Sequence, residues 1–348
     1  ASVIGGICNN SGGNLVNRGP AYTELSLFAR LNSSGKLELV NHLDIDLGDN
    51  PQDILTNLQE INFNTENLPD SIKMASDVEY NRRVRDIKSN TPARFNADSR
   101  RLFEASGCAG KIAVFAVRLD TFEIPKQEQV FFVGTNNPSN FSRLRKQILI
   151  NCEQLPDMGE YMHKSYFDGS EKYCKDTFLF LKYFGTSSLP KLLSIKRKVQ
   201  EFETWFPWLP NHLIDHHLQF ICSLLPNHLP DRLRRYREKF DHYLLFLSSD
   251  KSIHILEDLL KKETSGVSEY EYIKCSKEEG KDALLHRYVA GAAPARYQLL
   301  NSTDSGDLLP LDIALPRDCE SWYQLLPEAI LSQMSESFQM SHFLCMVF

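Results

Sequence analysis

The chain begins with Ala1-Ser-Val-Ile-Gly-Gly-Ile-Cys-Asn-Asn-Ser-Gly-Gly-Asn-Leu-Val-Asn-Arg-Gly-Pro20, a stretch in which glycines are mixed with serines and asparagines. Small residues let backbone N–H groups approach a bulky ligand closely. The stretch therefore predicts a loop that holds a phosphate or a cofactor ring. The same residue types are also typical of an ordinary surface loop made of turns, and composition alone leaves both interpretations open.

The length and composition indicate a globular protein with roughly two domains. The chain has 348 residues, of which 42% are hydrophobic and 24% are charged. It contains no run of eighteen or more apolar residues, so no membrane-spanning helix is predicted. The 8 cysteines are scattered without a CxxC pair. They predict buried free thiols in a reducing compartment rather than a zinc site or a redox dithiol.

The net charge of −6 is unevenly distributed along the chain. Residues 163–239 carry 13 Lys and Arg against 8 Asp and Glu, and the remainder of the chain is strongly acidic. Aromatic residues lie among these basic residues, at Phe184, Trp205, Phe206, Trp208 and Phe220. Basic and aromatic side chains together suit an anionic lipid surface, and they also suit single-stranded nucleic acid. A solvated charged face over an aromatic core is the third interpretation.

Hydrophobic patterning predicts an α+β fold with an antiparallel sheet. A β-hairpin is predicted around Ser34-Gly35, because alternating apolar residues flank this turn on both sides. A helix is predicted over 51–60, capped near Asn50-Pro51. Another is predicted over 140–153, with Leu144, Ile148 and Leu149 on one face, and a third over 282–290. Strands are predicted over 112–119, which should be buried, over 128–134, 267–275 and 308–315, and from His342 onward.

No nucleophile elbow, zinc-protease motif or P-loop occurs in the sequence. Arg287 lies in the predicted helix 282–290 and could bind a carboxylate bidentately, although a surface or salt-bridged arginine is the commoner case. The adjacent His216 and His217 are expected at the surface. Gly107 and Gly110 precede the strand predicted over 112–119, a place for either a flat ligand or a plain core strand.

Separated blocks of this sequence resemble the bacterial respiratory, quinone-dependent D-lactate dehydrogenases, which are vanillyl-alcohol-oxidase-type flavoproteins. The blocks cover essentially the whole chain and occur in the order of the family. They are Ser2–Gly13 with Arg18–Glu24, Arg85-Asp-Ile, Asp98–Phe103, Ser106–Lys111, Gly159–His163, Lys172–Phe178, Leu229-Pro, Glu278-Glu-Gly280, Leu285-His-Arg287 and Leu311–Leu315.

The resemblance implies an oxidoreductase that oxidises D-lactate to pyruvate, with FAD as hydride acceptor and membrane quinone as the next electron acceptor. It implies an anionic phospholipid surface as the partner of segment 163–239, in place of nucleic acid, on the cytoplasmic face of the bacterial inner membrane. Two alternatives remain open. The chain could dock on the membrane without being catalytically active, or the flavoenzyme could act on another 2-hydroxy acid.

The resemblance also implies three structural parts. Residues 1–120 correspond to the second half of a FAD-binding domain. Residues 121–162, 240–278 and 303–348 correspond to a cap domain with an antiparallel sheet. Residues 163–239 and 279–302 correspond to a small, basic, helical membrane-binding insertion. The family's first flavin loop and C-terminal piece would lie outside residues 1–348, so we expect this chain alone to bind FAD weakly or not at all.

Functional residues follow from the resemblance position by position, and none of them implies a metal. Ser2 and Gly12 correspond to the second flavin loop, with Gly5, Gly6 and Asn10 as neighbours that let the backbone approach the cofactor. Val114 corresponds to a strand position whose backbone meets the flavin. His342 corresponds to the first histidine of a substrate-side pattern, His, six residues, then His. Arg287 is assigned to the substrate carboxylate, because a 2-hydroxy acid needs a fixed cation and a nearby base.

Overall fold

A computed structural model describes residues 2–64, 68, 71–94, 98–203, 205, 213–301, 308, 311–324, 327–332 and 340–346. The chain forms two units, Ala1–Pro125 and Lys126–Phe348. Phe206 and Trp208 of the basic segment lie outside the described residues. The domain boundaries implied by the resemblance stay predictions.

The first unit contains a three-stranded antiparallel sheet in the order β2-β1-β3. The strands are β1 (Ser26–Leu31), β2 (Leu37–Asn41) and β3 (Ala113–Val117). The predicted hairpin is confirmed: Gly35 has a φ of +75°, and the Asn32 side chain accepts hydrogen bonds from the N–H groups of Ser34 and Lys36. The left-handed turn residue and the Asn32 bonds together stabilise this turn.

The described part of the first unit also contains three helices, α1 (Val3–Cys8), α2 (Pro51–Gln59) and α3 (Tyr80–Arg85). The predicted helix over 51–60 is confirmed as α2. Its N-cap is Asn50, whose Oδ1 accepts a hydrogen bond from the N–H of Asp53 at 2.9 Å, and Pro51 occupies the first helical position. Ile54 of α2 packs with Leu27 of β1 in the core of this unit.

The strand predicted over 112–119 forms only at Ala113–Val117, and its predicted burial is wrong. In the sheet of the first unit, β3 is an edge strand paired with β1. Ala113 and Phe115 are exposed on it. A run of β-branched and apolar residues does not reveal whether a second element covers both faces of a strand.

The second unit is built on a five-stranded antiparallel sheet in the order β7-β4-β6-β5-β8. This sheet and that of the first unit confirm the α+β class with antiparallel pairing. The strands are β4 (Glu128–Thr135), β5 (Met158–His163), β6 (His242–Ser249), β7 (Tyr270–Lys274) and β8 (Met340–Ser341). The helices are α4 (Ser139–Asn151), α5 (Lys164–Tyr173), α6 (Lys175–Phe184), α7 (Leu189–Glu203), α8 (Leu213–Leu224), α9 (Asp231–Lys239), α10 (Lys251–Thr264), α11 (Lys277–Ala290), α12 (Ala293–Leu300) and α13 (Glu328–Leu331).

Both faces of this sheet are covered. Val130 and Phe132 of β4 pack in one apolar cluster with residues of α5, α6, α9, α11 and α12. On the other face, Phe141 of α4 contacts Tyr161 of β5 edge to face. The predicted helix 140–153 is confirmed as α4, which buries the predicted apolar residues Leu144, Ile148 and Leu149.

Three predicted strands differ from the structure. The strand over 267–275 is confirmed only as the shorter β7. The strand over 308–315 is wrong for Leu311–Leu315, which form no strand, although the N–H of Leu315 donates to the carbonyl of Met346 at 2.8 Å. The strand from His342 onward is also wrong, because a 3-10 turn, Phe343–Cys345, follows β8. All three residues of that turn are buried.

Candidate active site

Glu160 is a buried carboxylate in the middle of β5. Side chains alternate along a strand, so Glu160 shares a face with Met158 and Met162. These two methionines belong to the apolar cluster that also contains residues of α5 and α11. The side chain of Glu160 is only 1% exposed. A charge at this position is costly unless neighbouring groups pair with it.

Arg287 of α11 supplies one partner of this carboxylate. Its Nη2 donates a hydrogen bond to Oε2 of Glu160, and its side chain is 14% exposed. A capping box between Ser276 and Glu279 stabilises the start of α11. Gly280 lets it approach β4 closely, since a Cβ there would lie 3.0 Å from Cβ of Val130.

His342 supplies the second partner. Its Nδ1 lies 2.6 Å from Oε1 of Glu160, and its side chain is 26% exposed. His342 directly follows β8, where Ser341 is in register with Tyr161 of β5. This pairing brings His342 alongside Glu160.

The turn after His342 is anchored from two sides. A Cβ at Gly159 would lie 2.7 Å from Leu344, so the glycine at this position lets the turn pack against β5. Arg145 of α4 donates hydrogen bonds to the carbonyls of Leu344 at 3.4 Å and Arg317 at 2.9 Å. His342 is therefore held by a packed turn rather than by a free terminal segment.

The two residues assigned to the substrate side, Arg287 and His342, thus share the two oxygens of Glu160. Glu160 lies within the block Gly159–His163, and the resemblance implies no role for it. Its signal was a charged residue between two methionines of a core-facing strand pattern. Of the two interpretations of Arg287, the structure contains the salt bridge, and the substrate clamp stays a prediction.

Tyr166 lies next to this cluster and is buried. Burial raises the pKa of its hydroxyl to about 12, while the charge of Arg287 opposes the rise. Tyr166 is therefore a neutral phenol at physiological pH. The cluster combines one cation, one carboxylate, one imidazole and one phenol within the second unit.

The glycine-rich stretch of the first unit folds as α1 followed by turns. Ser2 is the N-cap of α1, and its Oγ accepts a hydrogen bond from the N–H of Gly5 at 3.0 Å. Asn10 follows the helix with a φ of +48°, a conformation that asparagine tolerates better than most residues. The N–H of Ser11 donates to the carbonyl of Gly6 at 2.8 Å. These bonds fix the backbone of the stretch.

Gly12 packs closely against the side chain of Arg94. A Cβ there would lie 2.6 Å from Cζ of Arg94, whose guanidinium donates a hydrogen bond to the carbonyl of Gly13. Gly12 also forms an isolated antiparallel bridge with Pro20. Gly6 and Gly13 differ, because a Cβ built on either of them would meet no described atom within 4 Å apart from its chain neighbours and, for Gly6, the backbone of α1. The space that a side chain would occupy is therefore empty at these two glycines.

Val114 lies in β3, in register with Phe28 of β1. Because α1 contacts β3, the strand of Val114 and the glycine-rich stretch are neighbours within the first unit. The structure thus brings together the elements that carry the six predicted cofactor-binding residues. Their binding role stays a prediction.

The basic charge of segment 163–239 is partly neutralised by acids from outside it. Among the residues that the structure describes, four ion pairs of this kind occur: Lys164–Asp241, Lys182–Asp282, Arg232–Glu279 and Lys239–Glu271. The helices α6–α8 and the residues just after them also expose large apolar side chains, among them Tyr183, Phe184, Leu193, Phe202, Trp205 and Phe220. His216 and His217 of α8 are exposed, as predicted.

Three further observations concern membrane-spanning helices, metal sites and cysteines. Among the described residues, no helix combines the length and the apolar character needed to cross a bilayer. The same residues contain no group of three or more His, Cys, Asp or Glu arranged to hold a metal ion. All 8 cysteines are free thiols, and five are buried as predicted, whereas Cys8, Cys108 and Cys319 are partly exposed.

The part of the chain that contains the five-stranded sheet and the Glu160 cluster matches a known protein family. Residues 130–348 match the family described as "D-lactate dehydrogenase, membrane binding". Because the match covers more than half of the chain, the chain belongs to this family.

Three curated relatives, each named quinone-dependent D-lactate dehydrogenase, match the entire chain. They come from Escherichia coli (47% identical), Haemophilus influenzae (45%) and Corynebacterium glutamicum (40%). The chain spans 61%, 62% and 61% of their respective lengths. The resemblance drawn from the sequence blocks is confirmed.

Proposed function

We propose that the protein containing this chain oxidises D-lactate to pyruvate and passes the electrons through FAD to a quinone. The relatives named above support the reaction class at 40–47% identity. The single structural observation that carries the proposal is the pairing of Arg287 and His342 through Glu160. Oxidation of a 2-hydroxy acid needs a fixed cation for its carboxylate and a base for its hydroxyl proton, and an arginine and a histidine can supply these two groups.

Oxidation of D-lactate removes a hydride from C2 and a proton from the C2 hydroxyl. In the proposal, the guanidinium of Arg287 binds the lactate carboxylate and fixes the orientation of C2. His342 accepts the hydroxyl proton as general base, since an imidazole is the side chain best matched to this task near neutral pH. FAD supplies the hydride acceptor when it is bound.

One feature of the glycine-rich stretch, the space beside Gly6, is suited to a bound flavin. The empty space beside Cα of Gly6 offers a surface on which a ring or phosphate can lie. In the proposal, Ser2, Gly5, Gly6, Asn10 and Gly12 line the cofactor on one side. Val114 of the neighbouring strand contributes its backbone.

Flavin reduction tests this function. Anaerobic addition of D-lactate to the flavin-loaded protein should bleach the flavin absorbance, and L-lactate should not. Other D-2-hydroxy acids, compared by kcat/KM, test the alternative of a different substrate. A flavin that D-lactate leaves oxidised would reject the proposal.

We also propose that segment 163–239 docks the protein on an anionic phospholipid surface, on the cytoplasmic face of the bacterial inner membrane. The family's membrane-binding description and the exposed aromatic residues of α6–α8 support this docking. Lys191 and Lys198 of α7 are exposed and, within the described part of the chain, form no ion pair that would compete with lipid phosphate. Flotation with liposomes of neutral and of anionic lipid is the test. Equal recovery on both would remove the anionic preference, and no flotation would remove the docking.

A further inference from the structure

We infer that Glu160 is a positioning residue that holds His342 in the tautomer with its proton on Nδ1 and thereby leaves Nε2 free to accept a proton. The inference rests on the proposed function, because it gives that tautomer a role in the oxidation of a 2-hydroxy acid.

The geometry of the pair determines the tautomer. A carboxylate only accepts hydrogen bonds, so a bond of 2.6 Å between Oε1 of Glu160 and Nδ1 of His342 requires a proton on Nδ1. A neutral imidazole carries one proton, so Nε2 then presents a lone pair. The imidazole of His342 has no other hydrogen bond within the described residues, so Glu160 alone selects this tautomer.

The second oxygen of Glu160 keeps the carboxylate fixed. Oε2 accepts a hydrogen bond from Nη2 of Arg287, and the side chain is almost completely buried. The carboxylate therefore cannot rotate away from His342 without breaking the bond to Arg287. One residue thereby orients both groups that the proposed reaction uses, the cation and the base.

The competing explanation is that Glu160 only forms an ion pair that stabilises the fold. A second ion pair in the same unit provides a comparison. Arg296 and Asp176 form a partly buried pair at 2.8 Å elsewhere in the same unit. A structural pair should affect stability without affecting the tautomer of a histidine. Asp176→Asn is therefore a matched control for Glu160→Gln.

The substitution Glu160→Gln keeps the shape of the side chain and removes its charge. A glutamine amide can donate a hydrogen bond to Nδ1 as well as accept one from it. The proton of His342 should therefore shift in part to Nε2. Glu160→Asp retains an acceptor-only group and should retain the Nδ1 proton if the shorter side chain still reaches His342.

The experiment is ¹⁵N NMR of histidine-labelled, flavin-loaded protein, with the His342 signal assigned by its loss in His342→Gln. We expect the Nδ1–H tautomer in wild type and in Asp176→Asn, and a population of the Nε2–H tautomer in Glu160→Gln. The same samples should show kcat for D-lactate lowered by about 10²-fold in Glu160→Gln, with KM changed far less. Partial recovery of kcat in Glu160→Asp is the further expected result.

Two outcomes would overturn the inference: an Nδ1–H tautomer that persists in Glu160→Gln, or a shifted tautomer with unchanged kcat. Failure of the proposed function has a different signature. In that case D-lactate would not reduce the wild-type flavin, while the NMR spectra would still report whether Glu160 sets the tautomer.

Discussion

Nε2 of His228 lies 3.3 Å from Nδ1 of His286 in the interior of the second unit. The ring of Phe178 packs on His228 and that of Phe167 on His286, with centroid distances of 4.3 and 4.4 Å. Burial lowers the pKa of His228 to about 4, and nearby Lys175 adds to the shift. Burial also lowers the pKa of His286 to about 3, and the charge of His228 acts in the same direction.

This histidine pair should make stability fall in mild acid. The pKa of each ring in the folded protein lies below its ordinary value of 6.5, so the unfolded chain binds more protons between those values. The free energy of unfolding should therefore decrease as the pH falls from about 6.5 toward 4, by about 3 kcal/mol for His228 alone. Urea midpoints measured between about pH 7.5 and pH 5 give this dependence.

Two variants isolate the pair from other groups. His228→Gln should weaken the dependence of the urea midpoint on pH, because glutamine does not titrate. The exposed His216 of α8 is the control, and His216→Gln should reproduce the wild-type dependence. An unchanged slope in His228→Gln would show that protonation of this histidine does not limit stability in mild acid.

Local elements could be predicted from the sequence because their causes are local. The spacing of Leu144 and Ile148 predicted α4, and Asn50-Pro51 predicted the start of α2. The site could be predicted only in part. Glu160 contacts Arg287 and His342, which lie 127 and 182 residues away in the sequence. These contacts depend on the order of the strands in the sheet, which the sequence does not reveal. The acids that neutralise segment 163–239 likewise come from outside it, where a count of its charges cannot find them.

Removal of Arg287 should affect both stability and substrate binding. Arg287→Ala leaves Glu160 with one partner, and an uncompensated buried charge typically costs about 3–5 kcal/mol. Arg287→Ala should also raise the KM for D-lactate strongly, whereas Arg287→Lys should recover part of the stability. Adding Glu160→Gln to Arg287→Ala should restore stability but not KM. A KM that stays at the wild-type value in Arg287→Ala would dismiss the clamp.

Substitutions at Gly19 and Gly35 distinguish the cost of placing a side chain at positive φ from the cost of a steric clash. Both have positive φ, of +68° and +75°, but a Cβ at Gly19 would lie 2.7 Å from Cγ of the buried Tyr80, whereas Gly35 has open space around it. Gly35→Ala should cost about 1 kcal/mol for backbone conformation alone. Gly19→Ala should cost about 1–3 kcal/mol more, because Tyr80 must move. If thermal unfolding shows equal losses of stability for the two variants, Tyr80 moves without a measurable cost.

Apolar contact should contribute to membrane docking alongside charge, because ion pairs already engage several basic residues of segment 163–239. Phe184 and Trp205 are 68% and 75% exposed. Phe184→Ser and Trp205→Ser should each lower partitioning onto liposomes by about tenfold.

Salt and a control variant distinguish the two contributions. The loss caused by Phe184→Ser or Trp205→Ser should persist at high ionic strength, since burial of apolar surface is not screened by salt. Lys198→Glu should weaken binding only at low ionic strength and only on anionic lipid. Ile150 of α4 is exposed outside the segment, and Ile150→Ser should bind as wild type does. If high salt abolishes the difference between wild type and both aromatic variants, docking is electrostatic and the aromatic side chains do not enter the lipid.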